Sequence, residues 1–179
     1  MRVVAGTARS IRLHAPQGIR PTTDAMRETL FNVLGQQVHQ AQFLDLFAGS
    51  GAVGIEALSR GAAHCTFVEK DAACVRILSE NLERTGLADR GDLLRRDAAR
   101  ALREMGSQRQ HAIAFLDPPY GFHGLAEVLG LLLEQRLGLS KQAVVVVQHS
   151  RGQAAVEAFG PMRTKTFGES VLSFFTCGG

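Results

Sequence analysis

Cysteine is scarce and unpatterned in this 179-residue chain, and that scarcity removes several classes at once. Cys65, Cys74 and Cys177 are odd in number, widely spaced and free of any CxxC pairing, so neither a disulfide framework nor a zinc site is expected. No apolar stretch approaches the roughly 18 residues of a membrane span, and Met1-Arg2-Val3-Val4 opens no signal-like apolar region. A soluble cytoplasmic protein with no membrane and no metal is the expectation. Internal repeats, linkers and low-complexity tracts are also missing, and no acidic residue precedes Asp24. Residues 1–21 therefore form a locally basic arm carrying Arg2, Arg9, Arg12 and Arg20, although the formal charge of the whole chain is only +3. These arginines are candidate RNA-phosphate contacts, against a plain solvated hairpin.

What is present suits one hydrophobic core. With 45% hydrophobic residues the chain can fill a single α/β domain over residues 1–179, and a second full domain would not fit. The arm reads as two brief strands around Ala5-Gly6-Thr7 and Ile11-Arg12-Leu13. A helix follows from about Asp24, with Met26, Leu30, Val33 and Leu34 as its apolar stripe and Thr22 and Thr23 able to cap it. Strands and helices then alternate. Strands are expected at Phe43–Phe47, His64–Glu69, around Leu93-Leu94, at Ala112–Leu116 and at Ala143–Val147. Helices are expected from Ala52 to Gly61, from Asp71 to Gly86, and over Leu125–Gln135. This βα order implies a parallel sheet. Met162–Phe167 and Val171–Phe175 flank Gly168-Glu169, a hairpin signal at the end of the chain.

Three features carry chemistry. In Leu44-Asp45-Leu46-Phe47-Ala48-Gly49-Ser50-Gly51-Ala52-Val53-Gly54 a strand runs into a glycine loop that opens a helix, where backbone N–H groups are free to meet a ligand. Taken alone this also fits a dinucleotide fingerprint, with Glu69 about 20 residues on. Glu69 and Asp97 end the second and third strands, so both project over the crevice at the carboxyl edge of the sheet. Glu69 suits ribose hydroxyls, and Asp97 with the Ala98 backbone suits an adenine ring, although a strand-end acid is often only a helix cap. The third feature is Asp117-Pro118-Pro119-Tyr120 after the fourth strand. Two prolines stiffen a loop that exposes a carboxylate, peptide carbonyls and an aromatic ring. A base amine needs acceptors for its N–H groups, because its lone pair is otherwise delocalised into the ring. Asp117 and the Pro118 carbonyl are such acceptors, and Tyr120 is a stacking surface for an unstacked base.

Together these motifs resemble the amino-group branch of the class I methyltransferases. Met1–Gly6, Arg20-Pro21-Thr22-Thr23-Asp24, Leu44–Gly51, Glu56–Ala62 and Phe67-Val68-Glu69 are similar, in order, to the RsmD family of 16S rRNA guanine-N2 methyltransferases. The resemblance implies an α/β Rossmann-like fold with a seven-stranded, mostly parallel sheet, a C-terminal antiparallel hairpin and a short N-terminal β arm. It implies S-adenosylmethionine as the methyl donor, held by Thr22, Thr23, Asp45, Ala48, Gly49, Ser50, Gly51, Glu69, Lys70, Asp97 and Ala98, with Asp117, Pro118 and Tyr120 catalytic. The 16S rRNA or small ribosomal subunit is the implied partner, and a monomer the expected state. Ala5 stands where relatives carry glycine, and His149 where they often carry an acid. His149 is left out of the site, since a lone histidine there is more often satisfied locally. The competing classes are a nicotinamide-dependent dehydrogenase, which leaves the Asp-Pro-Pro-Tyr loop unexplained, a non-catalytic RNA-binding module, and an adenine-N6 methyltransferase, for which no domain that would read duplex DNA is evident.

Overall fold

Alternation along each central strand sorts its side chains onto two faces. Phe43, Phe67, Ile113, Phe115, Val144 and Val146 point into one apolar cluster, while Leu44, Leu46, Val68, Ala114, Leu116 and Val147 point into another. The computed structural model describes residues 1–16, 23–107 and 110–177. Its strands are β1 (Gln42–Leu46), β2 (His64–Glu69), β3 (Gly91–Arg95), β4 (His111–Leu116), β5 (Leu139–Ser150), β6 (Arg163–Phe167) and β7 (Ser170–Thr176). They form a seven-stranded sheet in the order β3-β2-β1-β4-β5-β7-β6. The first five strands in that order are parallel, and β7 runs antiparallel to both β5 and β6. The α/β class, the mostly parallel sheet and the reversed hairpin all agree with the sequence.

Helices α1 (Asp24–Leu34), α2 (Ala52–Ser59) and α3 (Ala72–Thr85) cover the first face, and α4 (Ala98–Met105) and α5 (Leu125–Leu129) the second. A short α6 (Ala154–Glu157) follows β5. The local signals explain these bounds. Asp71 accepts from the Ala73 and Cys74 N–H groups at 2.9 Å to start α3, and Gly86 ends it in a left-handed conformation. Three expectations need revision. The helix read over Leu125–Gln135 is α-helical only to Leu129, after which Gly130–Glu134 form a π turn closed by Gln135 N–H donating to the Gly130 carbonyl at 3.1 Å. Strand β5 outruns Ala143–Val147 at both ends, because Leu139 pairs with His111 of β4 and β7 pairs with it as far as Ser150 opposite Ser170. Helix α4 has no counterpart among the expected elements, yet Ala98, Ala101, Leu102 and Met105 bury one stripe of it.

The arm is the largest departure. Ala5–Thr7 is not a strand: the pairing is an isolated antiparallel bridge between Arg2 and Arg12, with Val3 N–H donating to Ile11 and Leu13 N–H to Met1, both at 3.0 Å. The reason lies in α2. Glu56, fully buried, accepts the Val4 and Ala5 N–H groups at 2.7 and 2.9 Å. Ser59 Oγ accepts from Ala8 N–H at 2.9 Å and donates to the Ala5 carbonyl at 2.6 Å, while its own carbonyl takes Thr7 N–H. Backbone groups that a partner strand would have used are thus spent on a helix. Gly6 permits the approach: its φ is +82°, and a Cβ there would sit 1.8 Å from the Ser59 carbonyl oxygen. Val3, Ala8 and Leu13 are buried in the first core cluster, so these three side chains anchor the arm in the core.

Candidate active site

Register sets the site. Leu46 of β1 pairs with Val68 of β2 on one side and Leu116 of β4 on the other, so Phe47, Glu69 and Asp117 leave three adjacent strands at one level. The strand order reverses between β1 and β4, which makes this the switch-point crevice of the sheet. The glycine loop, Glu69 and the Asp117-Pro118-Pro119-Tyr120 run therefore converge there, as their positions in the sequence imply. A separate polar cavity of about 260 Å³, lined by Gln42, His64, Thr66, Asp92, Gln110 and His111, lies at the amino ends of the strands, away from this crevice.

The glycine loop is held in shape by side chains from three elements. Gly49 N–H donates to Glu69 Oε2 at 2.9 Å, and Glu69 Oε1 accepts from Asp71 N–H at 2.9 Å. Gly54 N–H donates to Asp45 Oδ2 at 2.9 Å. Asn81 Nδ2 donates to the Ser50 carbonyl at 2.9 Å. Positive φ at Phe47, Gly49 and Gly51 turns the chain sharply between strand and helix, and Gly51 packs so near Leu78 that a Cβ would lie 2.8 Å from its Cγ. Around Gly49, by contrast, a Cβ would meet no atom within 4 Å.

Asp45 is 2% exposed beneath this loop, and burial pushes its carboxyl up to about 8, with the charges of Asp117 and Glu69 adding to the rise and the Gly54 N–H opposing it. Its place is under the loop, bonded to α2. Asp97 caps α4, its Oδ1 accepting from Ala99 and Arg100 N–H at 3.0 and 3.3 Å; Oδ2 has no partner among the described residues. One side chain thus caps the helix with Oδ1 and, being exposed, keeps Oδ2 accessible. Ala48 and Ser50 are half-buried in the loop, Ala98 is buried at the start of α4, and Lys70 is exposed after β2. Thr23 caps α1, its hydroxyl accepting from Met26 N–H at 3.2 Å. Thr22 and Arg20 lie outside the described residues. Arg2, Arg9 and Arg12 are exposed on the arm, and Arg2 lies 3.8 Å from Asp24.

Asp117 and Pro118 are half-buried, whereas Tyr120 is 95% exposed and presents its ring to solvent. Phe122, just beyond, meets Phe47 edge-on with ring centroids 5.0 Å apart, which ties the proline loop to the glycine loop. His149 stays out of the crevice chemistry: its ring nitrogens engage the Ser150 carbonyl and Ser173 Oγ at 2.7 Å each, and burial lowers its affinity for a proton.

The family model described as conserved hypothetical protein 95 matches residues 1–176. The chain belongs to this family, the RsmD family. It is 42% identical over 150 residues to the ribosomal RNA small subunit methyltransferase D of Escherichia coli K12, covering 83% of this chain and 74% of that one. A structure of a hypothetical protein from Thermus thermophilus superposes with a TM-score of 0.85 at 34% identity, covering 97% of this chain and 98% of the other. An RNA methyltransferase from Salinibacter ruber, solved with S-adenosyl-L-homocysteine, shares the fold at a TM-score of 0.69 and 19% identity, over 89% and 94% of the two chains. The RsmD-family fold is the class I methyltransferase fold. Among the described residues no helix is long and apolar enough to cross a membrane.

Proposed function

We propose that this protein methylates the exocyclic N2 amine of a guanine in small-subunit ribosomal RNA. Methyl transfer to ribosomal RNA is the activity named for its relatives, and the donor is S-adenosylmethionine. The observation that carries the finer reading is the Asp117-Pro118-Pro119-Tyr120 loop at the switch point, with a half-buried carboxylate beside an aromatic ring left 95% exposed.

The crevice suits the donor on its own geometry. Glu69 keeps a second lone pair on each oxygen after accepting one backbone N–H apiece, so ribose hydroxyls have acceptors there. Asp97 Oδ2 and the Ala98 backbone would hold the adenine, and the open space beside Gly49 leaves room for the donor against the loop. Ala48, Ser50, Gly51 and Lys70 line the same edge, with Asp45 supporting them from below; the family resemblance adds Thr22 and Thr23 to the residues that would hold the donor, Thr23 from the cap of α1. Once bound, S-adenosylmethionine supplies an electrophilic methyl group on a sulfonium centre.

The protein's own part is to hold and polarise the amine. Tyr120 stacks on the flipped base, and the Asp117 carboxylate and Pro118 carbonyl accept the two amine N–H bonds, localising the lone pair. As the carbon–nitrogen bond forms and the methyl–sulfur bond breaks, leaving the neutral thioether S-adenosylhomocysteine, positive charge passes to the amine, and these fixed acceptors stabilise it better than they stabilise neutral guanine. The proton leaves to solvent afterwards, so no strong base is required. Arg2, Arg9 and Arg12, exposed on the arm, are the proposed phosphate contacts, and Arg20 belongs to the same basic stretch of sequence. The protein acts as a monomer on rRNA or the assembled subunit.

The test is direct. Labelled donor is incubated with the protein and, separately, with DNA, rRNA and small ribosomal subunits, and the products are digested to nucleosides. Label on N2-methylguanine is expected; label on N6-methyladenine would refute the assignment.

A further inference from the structure

Asn81 sits on the buried stripe of α3 and is fully enclosed, yet its amide bonds to backbone groups of two distant segments rather than to the strands it packs over. Its Oδ1 accepts from His14 N–H at 2.8 Å. Its Nδ2 donates to the His14 carbonyl at 3.0 Å and to the Ser50 carbonyl at 2.9 Å. Both amide protons are therefore used, and turning the amide over would set its oxygen against two carbonyls, so only one orientation satisfies the site. The two ends it joins belong to different tasks. His14 follows Arg9 and Arg12 on the basic arm, and Ser50 is in the glycine loop, one residue from Gly49, whose N–H is held by Glu69. Among the described residues the arm's other hydrogen bonds to the body of the protein run to Glu56 and Ser59 of α2 and to Arg27 of α1, away from that loop, while the His14 ring lies 3.5 Å from Glu80 of α3.

We propose that Asn81 is a positioning residue that couples donor occupancy to RNA binding. This rests on the function proposed above. A donor pressed against the glycine loop holds the Ser50 carbonyl in place, which keeps Asn81 and, through its other two bonds, the His14 peptide groups fixed. RNA that grips Arg9 and Arg12 holds the same chain from the other end. Each ligand then finds an element already ordered by the other, and linkage requires the benefit to be mutual. Glu56 and Ser59 keep the arm docked throughout, so the coupling needs only the His14 end to tighten or loosen.

Equilibrium dialysis of labelled S-adenosyl-L-homocysteine, alone and with saturating small ribosomal subunits, reads the coupling. The parent protein should bind it about fivefold tighter or more when subunits are present. Asn81→Asp keeps the size and the Oδ1 acceptor but replaces both amide protons with an oxygen facing two carbonyls, and should bring that ratio close to one. Leu82→Ala, on the same helix but directed at Gly91, should loosen the fold and keep the ratio. Equal affinity with and without subunits in the parent, an undiminished ratio in Asn81→Asp, or loss of the ratio in Leu82→Ala would each overturn the coupling. Should Asn81→Asp fail to fold, amide exchange in the parent decides: saturating S-adenosyl-L-homocysteine should slow exchange of His14 N–H by about tenfold, and an unchanged rate would overturn the proposal. Failure of methyl transfer to guanine would instead overturn the proposed function, since these readouts are binding and exchange alone.

Discussion

Replacing Asp45 with Asn should change how the stability of this protein responds to pH. In the folded protein the Asp45 carboxyl is pushed from 3.8 up to about 8, chiefly by burial and further by the charges of Asp117 and Glu69. The folded state therefore holds the proton more tightly than the unfolded chain does between those values. Stability from this residue is fully present below about pH 4, falls as pH rises, and is lost above about pH 8. Each pH unit in that window costs about 1.4 kcal/mol, so the whole window is worth about 6 kcal/mol as an upper bound. Asn cannot ionise, yet its side-chain oxygen can still accept the Gly54 N–H that Asp45 binds at 2.9 Å. Urea unfolding at pH 5, 7 and 8.5 should show the parent weakening with pH by several kcal/mol more than Asp45→Asn, with the variant the more stable protein at pH 8.5. Parallel pH dependences would refute the claim that a buried, proton-retaining carboxyl lies under the loop.

Asp117→Ala should keep its fold and most of its donor affinity but methylate about 10²–10³-fold more slowly in single turnover, as expected for loss of one preorganised electrostatic partner. A near-parental rate would sink the mechanism. Tyr120→Ala should be slower than Tyr120→Phe in the same assay, because only the latter keeps a stacking face. Gly6→Ala should cost about 2 kcal/mol or more in urea unfolding, since its Cβ would fall 1.8 Å from the Ser59 carbonyl oxygen and its φ is +82°; a parental midpoint would show that the arm is not locked to α2. Arg9→Ala with Arg12→Ala should weaken RNA binding and flatten its salt dependence while leaving donor affinity unchanged, and an unaltered salt slope would remove the arm from the RNA interface.

Periodicity and punctuation carry most of the architecture. The strands are short apolar runs bounded by glycine or acidic caps, and parallel order follows from their alternation with helices, so the carboxyl-edge crevice is legible in the sequence. What escapes is polar contact over long sequence separation. Glu56 bonds to Val4 and Ala5, and Asn81 to His14, across more than fifty residues in each case. No local pattern encodes such a pair. A weaker signal exists, because Glu56 is an acid inside an otherwise apolar helix and Asn81 falls on the stripe of Cys74, Leu78, Leu82 and Thr85. Polar residues at core positions ask for a partner. For α4 the stripe itself is legible, but Asp97 reads equally well as a ligand acid and as the cap of the helix it starts.

The same interactions change what loss of a binding residue would mean. Glu69 holds Gly49 and Asp71 N–H groups with the same carboxylate that is proposed to meet ribose hydroxyls. Asp97 caps α4 with one oxygen and leaves the other accessible. Removing either carboxylate therefore deletes a proposed donor contact and an anchor of the crevice wall together, and the two losses compound. Asp117 differs, since its carboxylate is proposed to meet the base and the loop behind it is stiffened by Pro118 and Pro119. Donor affinity should thus be sensitive to Glu69 and Asp97 through structure as well as contact, whereas the rate of transfer at saturating donor isolates Asp117. This separation follows from where each carboxylate stands on the sheet edge: two at strand ends that also begin or brace a helix, and one in a loop held rigid by proline.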